Sequence, residues 1–151
     1  MKTLVLGLGN PILSDDGVGI KVAHEVANQL NNPQVTVAET SGAGLSLLDS
    51  IVGYDKVIII DAIQTKKGQA GQIYRMGTEN FSLTKHLSSP HHINLLTALE
   101  LGKMLNLAIP QKITIFAVEA KDITSFSEKC TPKVERVIPE VVKMVLEELV
   151  G

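Results

Sequence analysis

The chain has 151 residues, 44% of them hydrophobic and 20% charged, with a formal net charge of −2. That length suits one domain, expected over residues 1–151, burying about two-thirds of its unfolded surface. The small negative charge and the lack of a basic stripe argue against nucleic acid and anionic membrane surfaces as partners. Aromatic residues, at 3%, leave little for base stacking. No run reaches the ~18 apolar residues of a membrane span. The N-terminal apolar run is too short for a signal peptide and flows straight into a strand and turn. The single cysteine, Cys130, excludes an internal disulfide and suits a reducing compartment. A cytoplasmic protein acting as a monomer is the expectation.

Leu4-Val5-Leu6 is a short apolar run halted by Gly7 and reads as a buried strand. Gly7-Leu8-Gly9-Asn10-Pro11 neither continues a strand nor opens a helix, because glycine and asparagine accept positive φ and proline removes a donor. Ser14-Asp15-Asp16 then precede Val18, Val22, Val26 and Leu30, an apolar stripe at helical spacing. The opening is strand, tight loop, helix, with two carboxylates at the mouth of the loop. Asp15 and Asp16 are each worth roughly 0.3–1 kcal/mol simply by facing a helix N-terminus. Gly7-x-Gly9 also invites comparison with a dinucleotide fingerprint. Its third glycine position is Ile12, and only Glu39 stands where a ribose-binding acid belongs.

Asn31-Asn32-Pro33 breaks the chain, and 34–38 alternates as a strand around Val35 and Val37. Glu39-Thr40-Ser41-Gly42-Ala43-Gly44 is a second glycine-rich loop, followed by a short helix through Leu45, Leu47, Leu48 and Ile51 that Gly53 ends. Val57-Ile58-Ile59-Ile60 is the strongest strand, its β-branched run implying burial on both faces, and it is expected to stop at Asp61. A solvated turn at 66–71 leads to a strand at 72–76, and 77–90 is polar and irregular. A helix over 93–105 carries Leu95, Leu96 and Leu99, and a strand over 112–118 carries Ile113, Ile115 and Ala117. Thr131-Pro132 opens a last helix with the stripe Val134, Ile138, Val141, Val145 and Leu149. Pro139 is expected to kink that helix or begin a second segment. This alternation predicts an α/β fold, a three-layer sandwich whose mostly parallel, twisted five-stranded sheet has helices on both faces.

In such sheets ligands lie beyond the carboxyl ends of the strands, at a topological switch point. Asp15, Asp16 and Asp61 fall at that edge, and so does His91 at the start of a helix. A carboxylate closing four buried residues is costly unless paired, protonated or on a metal, although it also stops a strand by accepting backbone N–H bonds. His91, with His92 beside it, likewise serves as an ordinary helix-start residue. Together, two carboxylates and an imidazole make a mixed oxygen and nitrogen set suited to Ni²⁺, Zn²⁺ or Mn²⁺. Three such ligands leave positions open for water or substrate.

Four pieces, in order, carry a resemblance to a known family: Gly7-Leu8-Gly9-Asn10 followed by Asp15-Asp16-Gly17-Val18-Gly19; Ile60-Asp61-Ala62; Ser89-Pro90-His91; and Thr131-Pro132-Lys133-Val134-Glu135. Over nearly its whole length the chain resembles the hydrogenase maturation endopeptidases of nickel-iron hydrogenases. The resemblance implies a single α/β domain that removes the C-terminal peptide of the hydrogenase large-subunit precursor after nickel insertion. It implies that the catalytic, metal-contacting acid, acid and histidine are Asp16, Asp61 and His91. It further implies that the nickel is supplied by the substrate, so the enzyme need not hold a metal of its own. Asp15 rivals Asp16 and His92 rivals His91; the family pattern favours the second Asp and the first His.

The chain departs from the family in the loop after the second strand, which often reads acid-Gly-Gly-Thr-x-Gly; here only Glu39 and Gly44 fit. Leu6-Gly7-Leu8-Gly9-Asn10-Pro11 also resembles the opening of peptidyl-tRNA hydrolase, but that family's Tyr and Arg-His-Asn segment is missing. A nucleotide- or metal-binding regulatory module is the non-enzymatic alternative. His24 and His86 match no motif, Cys130 lies far from all of them, and there is no Gly-x-Ser-x-Gly elbow.

Overall fold

In a computed structural model, which describes residues 1–41, 44–77 and 90–150 apart from the side chains of 44–45 and 90–94, the β-branched run at 57–60 lies at the centre of a five-stranded sheet. The elements run β1 (Thr3–Leu8), a 3-10 turn (Ser14–Gly17), α1 (Val18–Gln29), β2 (Val35–Thr40), α2 (Gly44–Ile51), β3 (Lys56–Ile63), β4 (Ile73–Gly77), α3 (Pro90–Met104), β5 (Lys112–Glu119) and α4 (Pro132–Val150). The strand order is β2-β1-β3-β5-β4; only β4 runs antiparallel to its neighbour.

Alternation along the strands builds two cores. Val5, Ile58, Ile60, Phe116 and Val118 meet Val18, Val22 and Val26 of α1 and Val134, Ile138, Val141 and Val145 of α4. On the other face Leu4, Leu6, Leu8, Ile59, Ile63 and Ile115 meet Leu47 and Ile51 of α2 and Leu95 and Ala98 of α3. The expected three-layer, mostly parallel architecture is therefore present. At the amino edge, Lys56 is buried and donates from Nζ to the Glu148 carbonyl at 2.6 Å, tying down the end of α4. Burial pushes the Lys56 ammonium below its usual range, while Arg75, 2.8 Å away, holds the Glu148 carboxyl below its own.

Four local expectations are corrected. Gly7 does not halt β1: it pairs with both Glu39 and Ile60, because a strand flanked on two sides keeps its ladder even through glycine. Glu39 and Thr40 correspondingly belong to β2 rather than to the loop after it. β3 does not stop at Asp61 but runs two residues further, with Asp61 opposite Ala117 and Ile63 opposite Glu119. Pro139 begins no second segment, since α4 is one helix from Pro132 to Val150. Pro139 lies on the exposed side of that helix, where water can satisfy the carbonyl it frees, and the buried stripe passes beneath it. Residues 42–43 of the second glycine-rich loop, most of the irregular stretch at 77–90, and His86 lie outside the described residues.

Candidate active site

β2 and β3 lie on opposite sides of β1, so the carboxyl edge between β1 and β3 is the switch point of the sheet. The loop leaving β1 there is built on close approach. Gly9 takes φ +135, and a Cβ on it would collide with the Asp16 carbonyl. The Asn10 amide donates to Asp16 Oδ2 at 2.9 Å, while Asn10 Oδ1 accepts from the Ile12 amide at 3.1 Å. Ser14, at φ +50, is held by its amide bond to the Ser127 carbonyl at 2.9 Å. The 3-10 turn so formed packs against β3.

The two adjacent aspartates have different environments. Asp15 is fully buried. Its Oδ2 accepts from the amides of Lys121 (2.9 Å) and Asp122 (3.1 Å) and from Thr131 Oγ1 (2.8 Å), and its Oδ1 accepts from the Thr131 amide (2.7 Å). Asp15 clasps the 121–131 loop to the start of the site. Asp16 is only half-buried. Replacing Asp15 by alanine should strand those donors and lower unfolding free energy by about 2–3 kcal/mol, against about 1 kcal/mol or less for Asp16→Ala. Urea unfolding of the two variants measures the difference. Equal stabilities would remove the structural role of Asp15.

Asp61 is fully buried in β3, and its Oδ1 accepts from the Ala62 amide at 2.8 Å. Strand alternation puts it on the face of Ile59 and Ile63, the face covered by α2 and α3. His91 and His92 lie in the first turn of α3, which opens at Pro90 as proline at a first helical position favours; their side chains lie outside the described residues. The structure thus brings the Asp16 turn and the Asp61 strand together at one edge. No group of three or more His, Cys, Asp or Glu able to hold a metal occurs among the described residues.

One further acid at this edge escaped the sequence reading. Glu119, buried at the end of β5, accepts from the Thr65 amide (2.8 Å), Thr65 Oγ1 (2.7 Å) and Tyr74 Oη (3.0 Å), pinning the turn after β3. The same signal as at Asp61, an acid following a buried apolar run, marks it in the sequence. His24, which matches no motif, lies 2.6 Å from Glu39 Oε2 through its Nε2. Burial pushes the Cys130 thiol up to about 11, so it stays protonated and is no nucleophile at neutral pH.

Residues 20–148 match the family model HycI, hydrogenase maturation protease. The hydrogenase 2 maturation protease of Escherichia coli (strain K12) is 29% identical over 151 residues, covering 99% of this chain and 91% of that protein. The structure of the hydrogenase maturating endopeptidase HybD from E. coli superposes with a TM-score of 0.87 at 28% identity, covering 99% of this chain and 92% of that one. The NiFe hydrogenase maturation protease HybD from Thermococcus kodakarensis gives 0.81 at 25% identity with both chains fully covered. These matches displace the tRNA hydrolase and nucleotide-binding alternatives. With the family model spanning most of the sequence and the switch-point fold shared with solved relatives, this chain belongs to the hydrogenase maturation proteases and is an endopeptidase.

Proposed function

We propose that this endopeptidase removes the C-terminal peptide of a nickel-iron hydrogenase large-subunit precursor after nickel insertion, with Asp16, Asp61 and His91 contacting the nickel that the precursor carries. The observation that carries the reading is a fully buried carboxylate, Asp61, in the strand on which the Asp16 turn packs. Buried carboxylates are retained against their desolvation cost where a cation or a reaction uses them. The nickel here is part of the substrate. Holding it fixes the scissile bond beside it, converting recognition into proximity, and the ion supplies charge to polarise the carbonyl or to activate a water. In this reading the enzyme works as a monomer in the cytoplasm.

The test is an intact-mass comparison of nickel-loaded and metal-free precursor before and after incubation with the protein. Loss of one defined C-terminal peptide, only from the nickel-loaded precursor, is the expected result. Equal processing of metal-free precursor would take nickel out of the reading. A zinc-loaded precursor separates the two roles of the ion: cleavage assigns it Lewis-acid chemistry, and resistance assigns it recognition.

A further inference from the structure

The chain contains three Phe, two Tyr and no Trp. One of these few aromatics, Phe126, is 86% exposed, and Ile12, 47% exposed, lies next to it in register. A parallel bridge pairs Leu13 with Ser127, the Ser127 amide donates to the Ile12 carbonyl at 2.9 Å, and the Ser14 amide donates to the Ser127 carbonyl at 2.9 Å. Pro11, also exposed, extends the apolar strip.

The loop presenting Phe126 is firmly held. Asp15 fixes it at Lys121, Asp122 and Thr131. Asp122 Oδ1 accepts from the amides of Thr124 (3.0 Å) and Ser125 (2.9 Å). The Ser125 side chain, followed by these amides, lowers the Asp122 carboxyl to about 2. Ser127 Oγ accepts from the Lys129 amide at 3.1 Å. An aromatic ring offered to water from a pre-ordered loop has little ordering entropy left to lose on binding, as an interface anchor requires.

We infer that Pro11, Ile12 and Phe126 form a docking face for the protein substrate, taking an apolar segment of the hydrogenase precursor close to the bond to be cut. The inference rests on the proposed reaction. Continuity with the candidate active site identifies the occupant: the Ile12 amide bonds to Asn10 Oδ1, and the Asn10 amide bonds to Asp16 Oδ2. This loop therefore adjoins the turn that carries Asp16, within reach of a polypeptide held there. The neighbouring exposed Glu128 and Lys129 carry opposite charges, so apolar contact rather than net charge selects the segment.

The experiment compares wild type, Phe126→Ser and Ile12→Thr/Phe126→Ser in peptide release from nickel-loaded precursor and in co-elution with it on gel filtration. Phe126 is largely solvent-facing and Ile12 about half so, and the variants are expected to keep the fold, checked by their thermal midpoints. Phe126→Ser should raise KM about tenfold, the loss expected for one anchor residue, with a larger rise in the double variant and kcat changed less than about twofold. An unchanged KM, with wild type active, overturns the docking face and leaves the reaction standing. Wild type that releases no peptide yet retains precursor in a Phe126-dependent way supports the docking face and overturns the reaction. A dimer that Phe126→Ser splits, without change in KM, assigns the face to a second copy of the chain and overturns the inference.

Discussion

Replacing Asp61 by asparagine is expected to slow peptide release from nickel-loaded precursor by at least about a hundredfold while leaving the protein folded. The substitution is nearly isosteric, and the asparagine carbonyl still accepts the Ala62 amide that Asp61 Oδ1 accepts at 2.8 Å. What disappears is a negative charge in a site with no solvent exposure. Such a charge is costly to bury, so its removal should hold the thermal midpoint or raise it, as functional residues that oppose stability generally do. Single-turnover release and a thermal melt on the same preparation read both halves. Near-normal release would take Asp61 out of the chemistry, and a collapsed midpoint would recast it as structural.

Gly19→Ala should be strongly damaging, costing about 4 kcal/mol, or roughly 8–16 °C in midpoint for a domain of this size. In isolation the change favours the helix, because alanine outranks glycine by about 1 kcal/mol in α-helix interiors. The added methyl, however, would sit 2.7 Å from the Leu8 carbonyl oxygen and closer still to that of Ile60. Both obstacles are backbone atoms of central strands, so nothing can rotate away. α1 crosses the ends of β1 and β3 at this point, with Gly7 similarly pressed against the Gly19 carbonyl. Relief would require lifting the helix together with the 3-10 turn that carries Asp16. Gly53→Ala is the control, since Gly53 has φ +92 but open space around it, and only backbone strain of order 1 kcal/mol is expected there. A Gly19→Ala protein as stable as wild type would show that the helix does not depend on this close approach.

Much of the fold was legible because it is written in short-range periodicity. The β-branched run at 57–60 could only be a strand covered on both faces, and the stripes at Val18, Val22, Val26 and at Val134, Ile138, Val141, Val145 could only be helices packed on it. The alternation of these units implies a parallel sheet and a switch-point edge, and with them a location for Asp16 and Asp61. Strand and helix limits were less legible, as Gly7, Asp61 and Pro139 illustrate. Each is a local stop signal, overridden by ladder partners for the first two and by a buried stripe beneath a solvent-facing proline for the third.

By itself, then, the sequence determined the layers, the sheet edge and the chemical types gathered there, since apolar spacing and glycine-rich turns act over a few residues. Only the tertiary structure decided what each of those residues does. Asp15 and Asp16 are the same residue type at adjacent positions, and no spacing rule separates them. Asp15 is consumed by amides from a segment more than a hundred residues away, while Asp16 keeps a half-open face. Gly19 looks like a weak helix residue until two strands arrive beneath it. Phe126 is one more apolar letter until the Leu13–Ser127 bridge sets it beside Ile12. Burial and partnership are properties of chain segments brought together across long separations, and those are fixed only when the whole sheet closes.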